Sequence, residues 1–249
     1  MKTIIAGFAA LLLSACSFFD KTELLIPTEL ISAPSKEHNR LVLVLPGRGD
    51  DLAAMRNSGI AAALQQKVPD TDVLLVEMTL PYYVEGRAME RLHKEIVLPA
   101  QQRGYREIYL AGASFGGMGA LMYERDHFAE LAGIILMAPY MGDPTIVEDI
   151  KAAGGLRNWD AGRPEPNLNP INASREEWRV VQSWLTNTER AQHVWLICGR
   201  EDGFFEAANV VAQALLPSHF IPVDGGHKWT VWSQGAAKAF AMIVANKPI

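Results

Sequence analysis

Short apolar runs recur along this chain with helical stretches between them, and that alternation restricts the possible folds more than any other feature. Leu41-Val-Leu-Val-Leu45 is continuous, with no polar position left for solvent, so a strand there must be covered on both faces. Further strand-like runs follow at Asp72–Met78, Arg106–Ala111, Ala132–Ala138, His193–Cys198 and His219–Val223. The intervening segments Asp51–Lys67, Val84–Leu98, Phe115–Arg125, Phe204–Leu216 and Lys228–Ala245 read as helices. Glu90 and Lys94 support the second of these at i,i+4 spacing, and Pro99 ends or bends it. Strands alternating with helices predict an α/β fold with a mostly parallel central sheet and helices on both faces. Residues 41–249 are enough for one such domain.

One stretch breaks the rhythm. Residues 140–190 lie between two strands and are far longer than a plain crossover, which predicts a lid-like insertion. Its middle is rich in Gly, Pro and Asn, and Asn167-Leu-Asn-Pro170 reads as turns. Ser174, with Glu177 three residues on, reads as a capping box that opens a helix through Trp184.

Gly112-Ala113-Ser114-Phe115-Gly116 follows an apolar run and precedes a small-residue segment. A serine on a sharp strand-to-helix turn needs neighbours without side chains so that strand and helix can approach. Such a serine is a candidate for covalent attack on an acyl group. It needs a base and an orienting acid. Asp202 ends the turn Gly199-Arg-Glu-Asp202 after one late strand, with Glu201 the near alternative and Glu206 a distant one. His227 sits on a glycine-flanked loop, Asp224-Gly-Gly-His227, after the next. Asp224, three residues before that histidine, is another carboxylate, but it does not fit the order of the family that the chain resembles, described next. His38, His93, His127, His193 and His219 lie in the tether, on helices or at strand starts and read as ordinary surface or packing residues.

This order of serine, acid and histidine after successive strands resembles the α/β-hydrolase superfamily, in particular its serine esterases of carboxylesterase and lipase type. The resemblance covers Leu41 to the C-terminus. Gly225-Gly-His-x-Trp229 and Gly-Ala-Ser-Phe-Gly-Gly also resemble carboxylesterases related to esterase D and feruloyl esterases. It implies an α/β-hydrolase fold and ester hydrolysis, with Ser114 as nucleophile, His227 as base and Asp202 as acid. It further implies an oxyanion hole made by the backbone N–H groups of Arg48 and Phe115. The loop Leu45-Pro-Gly-Arg-Gly-Asp-Asp51 lacks the usual His before its first glycine and has no His-Gly-Gly-Gly run. The triad alone does not choose an ester over a thioester, amide or peptide, and a silent binding lipoprotein would share the fold. Trp229 and Trp232, at i,i+3 after the histidine, read as packing, whereas Tyr82, Tyr83 and Tyr140 follow strand ends and could line the pocket.

The N-terminus carries Lys2, an apolar stretch Ile4–Leu13 too short to span a membrane, and Leu13-Ser-Ala-Cys16. This resembles the signal of bacterial lipoproteins. It implies removal of residues 1–15, lipidation of Cys16, and a cell-envelope location anchored to a membrane. Ser17 would permit transfer to the outer membrane in a Gram-negative cell. Residues 16–40 then form a tether with an edge strand around Leu24–Ile26. With Cys16 lipidated, Cys198 has no partner and reads as a buried small apolar residue. The net charge is −5 with no basic cluster, which argues against a nucleic-acid partner. No metal-ligand spacing or phosphate loop is evident, so no cofactor or metal is expected. Nothing in the sequence fixes an oligomeric state.

Overall fold

The computed structural model describes residues 22, 24–35, 39–166 and 172–245. Cys16, the segment 1–15, His38 and the turn at 167–170 lie outside the described residues. Among the described residues seven strands form one sheet: β1 (Thr28–Ile31), β2 (Arg40–Leu45), β3 (Thr71–Val76), β4 (Glu107–Ala113), β5 (Gly133–Met137), β6 (Val194–Gly199) and β7 (Phe220–Val223). Their order is β1-β3-β2-β4-β5-β6-β7. All neighbours are parallel except β1, which runs antiparallel to β3 with Thr28 opposite Val76. The expected mostly parallel sheet is therefore present, and its apolar runs fill the centre of the molecule. Leu41 to Leu45, Ile134 to Met137 and Val194 to Cys198 are almost wholly buried. Each such Leu, Ile or Val contributes about 1.5–3 kcal/mol by leaving water.

Among the described residues eleven α-helices flank the sheet: α1 (Leu52–Asn57), α2 (Ile60–Lys67), α3 (Leu80–Val84), α4 (Ala88–Arg91), α5 (Leu98–Gln102), α6 (Phe115–His127), α7 (Thr145–Ala152), α8 (Ala173–Ser183), α9 (Thr188–Gln192), α10 (Phe205–Ala212) and α11 (Trp229–Ala245). Among the described residues no helix is long and apolar enough to cross a membrane.

Several expectations need correction. The edge strand is Thr28–Ile31, not Leu24–Ile26, and Leu24 and Leu25 are exposed. The Asp51–Lys67 helix is two helices, because Gly59 takes φ 73°, a left-handed conformation that breaks the hydrogen-bond ladder. The helix expected at Val84–Leu98 begins instead at Ala88, after Gly86 at φ 76°, and runs through Pro99 to Gln102. The proline does not end it. The turn before it, Leu92–Val97, is widened into a π-helix, which accommodates a residue that has no N–H and crowds the preceding carbonyl.

The 140–190 insertion resolves into two parts. A described excursion containing α7 leaves after β5, and α8 with α9 then form the crossover to β6. No capping box opens α8. The helix starts at Ala173, and the Ser174 hydroxyl instead accepts the Asp143 N–H at 3.0 Å. Gly142 permits this contact, since a Cβ there would stand 2.0 Å from Ser174 Oγ. Trp178 and Trp184 are buried under the crossover, and Trp178 Nε1 donates to the Met141 carbonyl at 3.1 Å.

Glu177 is not a cap either. It is buried, Oε2 has no partner among the described residues, and burial holds its carboxyl well above the ordinary range. A carboxyl raised in the folded state binds its proton more tightly there than in the unfolded chain. Its contribution is complete below the unfolded value and is lost as pH rises through the folded one. Glu177→Gln, which cannot ionise, is expected to raise Tm at pH 8 by about 2–4 °C, the shift that 1 kcal/mol produces in a domain this size. The gain should shrink towards pH 4 in scanning calorimetry; an equal gain at both pH values would exclude ionisation as its cause.

Candidate active site

Strand β3 lies on one side of β2 and β4 on the other, so the chain reverses its winding direction between β2 and β4. A crevice opens beyond the carboxyl ends of parallel strands at such a point. The register sets Leu45 beside Gly112, which brings the loop after β2 alongside the turn after β4.

Ser114 occupies that turn. Strand β4 runs two residues further than the sequence suggested and delivers the chain directly to it. Ser114 has φ 49° and ψ −110°, an unfavourable conformation for a residue with a side chain. Its backbone holds that shape through N–H to the Met137 carbonyl at 2.8 Å, while its own carbonyl accepts from Tyr140 N–H at 2.8 Å. The flanking glycines are sterically required. A Cβ on Gly112 would stand 2.1 Å from the Gly116 carbonyl oxygen, and one on Gly116 would stand 2.6 Å from that of Pro46.

Three sequence-selected side chains come together here. Ser114 Oγ is 2.9 Å from His227 Nε2, and His227 Nδ1 is 2.8 Å from Asp202 Oδ2 and 2.9 Å from Oδ1. The Asp202 carboxylate is fully covered, and Oδ1 also accepts the Phe204 N–H at 2.9 Å. The acid and histidine loops are stitched together by Arg200 N–H to the Val223 carbonyl and Glu201 N–H to that of Gly225. A Cβ on Gly199 would stand 2.1 Å from the latter oxygen, so the two loops meet only because Gly199 has none. The alternative acids lie elsewhere. Glu201 is exposed, Glu206 pairs with Lys151 on the surface, and Asp224 is almost fully exposed beside Arg200. Cys198 is buried, and burial pushes its thiol up to about 12.

The Arg48 side chain is exposed, while Pro46 and Gly47 pack over the start of α6. Neither the Arg48 nor the Phe115 N–H donates to another described residue. Sequence reasoning missed what holds this loop. Asp50 Oδ2 accepts the Gly47 N–H at 3.1 Å and the Trp229 Nε1–H at 2.9 Å, and Asp50 N–H donates to the Gly47 carbonyl at 3.2 Å. Trp229 is thus a hydrogen-bonding residue as well as a packing one, linking the loop after β2 to the histidine loop. Trp232 is buried as expected, its ring 4.7 Å from that of His227 and edge-on. The only sequence signal for the Asp50 contact was an aspartate three residues after Gly47. Asp50→Ala is expected to lower turnover of a simple ester by up to about 100-fold with KM little changed, because the loop's amides would lose their fixed aim. Steady-state kinetics separates this from a binding defect, which would raise KM instead.

The walls around Ser114 are aromatic. Tyr83 packs edge-on against Phe115 at 4.8 Å, Phe115 lies 6.1 Å from Tyr140, Tyr140 5.9 Å from Phe204, and Phe204 4.9 Å from His227. Tyr82 does not belong to this set. It is buried, with the Arg91 guanidinium 4.8 Å over its ring.

No protein-family model matches the sequence, and no curated protein matches it either. Solved structures do match. A ferulic acid esterase superposes with a TM-score of 0.62 at 16% identity, over 88% of this chain and 91% of its own. The monoacylglycerol lipase of Paleococcus ferrophilus gives 0.56 at 14% identity, over 88% and 100%. An arylesterase gives 0.54 at 14% identity, over 91% and 80%. The chain has the α/β-hydrolase fold.

Proposed function

We propose that this α/β-hydrolase-fold chain is a serine hydrolase of carboxylic esters, working through an acyl-enzyme. The observation that carries the reading is the unbroken hydrogen-bonded line from Ser114 Oγ through His227 to the buried Asp202 carboxylate. In this mechanism Oγ attacks the ester carbonyl as its proton passes to His227 Nε2. Asp202 holds Nδ1 protonated and offsets the charge of the imidazolium. The N–H groups of Arg48 and Phe115 stabilise the oxyanion of the tetrahedral intermediate, aided by the positive N-terminal end of α6. The intermediate expels an alkoxide, which takes the proton from Nε2. Water, activated by the same imidazole, then releases the acid and restores Ser114.

The ring of Phe115, Tyr140 and Phe204 beside the triad favours esters with a flat unsaturated or aryl portion. The names of the ferulic acid esterase and arylesterase are in keeping with that preference. Lipid attachment at Cys16 would place this activity at a membrane of the cell envelope.

A fluorophosphonate probe tests the assignment. Wild type should label and Ser114→Ala should not, while a folded wild type that fails to label sinks the proposal. For the anchor, Cys16→Ala should no longer partition into detergent.

A further inference from the structure

At the far end of the helix that begins with Ser114 stands a second cluster of titratable side chains. His127 is the last residue of α6, Glu130 closes the 3₁₀ turn Phe128–Glu130 that follows, and His93 comes from the π-helical turn Leu92–Val97. His127 Nδ1 lies 2.9 Å from Glu130 Oε1 and His93 Nδ1 lies 3.1 Å from Oε2, and one ligand atom from each of the three residues falls within 4.8 Å of the others. We propose that His93, His127 and Glu130 bind one divalent transition-metal ion of the zinc type.

The donor set suits such an ion. Two imidazoles and a carboxylate are borderline-soft ligands of the kind zinc takes, at about 2.0–2.2 Å from the metal. Ligand atoms around a tetrahedral ion at those distances lie roughly 3–3.5 Å apart, so the side chains need only close slightly on it. His127 stacks on His93 at 4.2 Å and 17°, and on Tyr123 at 4.6 Å and 22°, so one imidazole must turn out of this stack for both to face one ion. Tyr123 is buried, and its hydroxyl lies 3.0 Å from His93 Nδ1 and 3.3 Å from Glu130 Oε2, so it touches two of the three ligands and can orient the carboxylate. The C-terminal end of α6 adds a partial negative charge where the cation would sit. The three side chains remain 19–29% exposed, which leaves an entry path and room for water as a fourth ligand.

Thirteen residues of helix separate this cluster from Ser114, about 20 Å at 1.5 Å per residue. The ion is therefore structural, clamping the π-helical turn to the end of α6. Nothing in the sequence spacing announced it beyond His127 and Glu130 at i,i+3, because His93 is supplied by the fold.

The chain should first be stripped with a chelator and then titrated with Co²⁺ and Zn²⁺. One equivalent of Co²⁺ should bind with a visible ligand-field spectrum that Zn²⁺ displaces. Zn²⁺ at about 100-fold above its Kd should raise Tm by roughly 5–10 °C. His127→Ala and Glu130→Gln should each abolish the spectrum, while His227→Ala should keep it. Absence of saturable one-to-one binding by the wild type overturns the proposal, as does binding that survives the joint loss of His93 and His127.

Discussion

Ser114→Ala is expected to lower kcat for an activated aryl ester by about a million-fold, leaving only what the surrounding donors and binding provide. The size of the effect follows from the geometry. In the proposed mechanism Oγ is the atom that holds the acyl group, and its hydroxyl is the one described hydrogen-bond donor to His227 Nε2, at 2.9 Å. The folded state should not suffer. The strained backbone at φ 49° is held by main-chain bonds to Met137 and Tyr140, which alanine keeps. Circular dichroism and Tm should therefore match wild type within about 0.5 kcal/mol, while turnover vanishes. A variant that retains more than about one part in a thousand of wild-type kcat would place the nucleophile elsewhere.

Asp202→Asn is expected to cost about ten-thousand-fold in kcat, also without unfolding. The amide would fit the same space and its oxygen can still accept the Phe204 N–H. What changes is the histidine. Both carboxylate oxygens of Asp202 now lie within 2.9 Å of His227 Nδ1, so that nitrogen carries the proton and Nε2 faces Ser114 unprotonated. An amide NH₂ in that place would donate to Nδ1 and drive the proton to Nε2, where it blocks removal of the serine proton. Glu201→Gln is the matching control, since Glu201 is exposed and bonds through its backbone only. If Glu201→Gln falls as far as Asp202→Asn, the acid has been assigned to the wrong carboxylate.

Much of this was legible in the sequence because parallel strands are read from uninterrupted apolar runs, and catalytic groups in such sheets sit at strand ends. Strand Leu41–Leu45 and the three side chains that the structure joins by hydrogen bonds, Ser114, Asp202 and His227, were all selected in that way. The failures have physical causes. Thr28–Ile31 alternates exposed and half-buried residues at a sheet edge, a weaker pattern than the exposed Leu24 and Leu25 beside it. Gly59 split a helix whose apolar periodicity continued across it. Ser174 and Glu177 had the spacing of a capping box, yet a tertiary contact to Asp143 took the hydroxyl. Asp50 with Trp229, and His93 with His127, are unions of distant residues that local spacing does not encode.

The contact between Asp143 and Ser174 has a further consequence. It joins two residues 31 apart and closes the neck of the excursion that carries α7. The excursion is anchored beyond that neck as well: Ile150 and Leu156 are fully buried, and Gln182 Nε2 donates to the carbonyls of Leu156 and Trp159 at 2.8 and 2.7 Å. Its inner face is thus part of the core, and changes of length, at about 0.6 kcal/mol of closure entropy per doubling, fall on its exposed turns. Ser114, Asp202 and His227 stand on strand ends outside that neck.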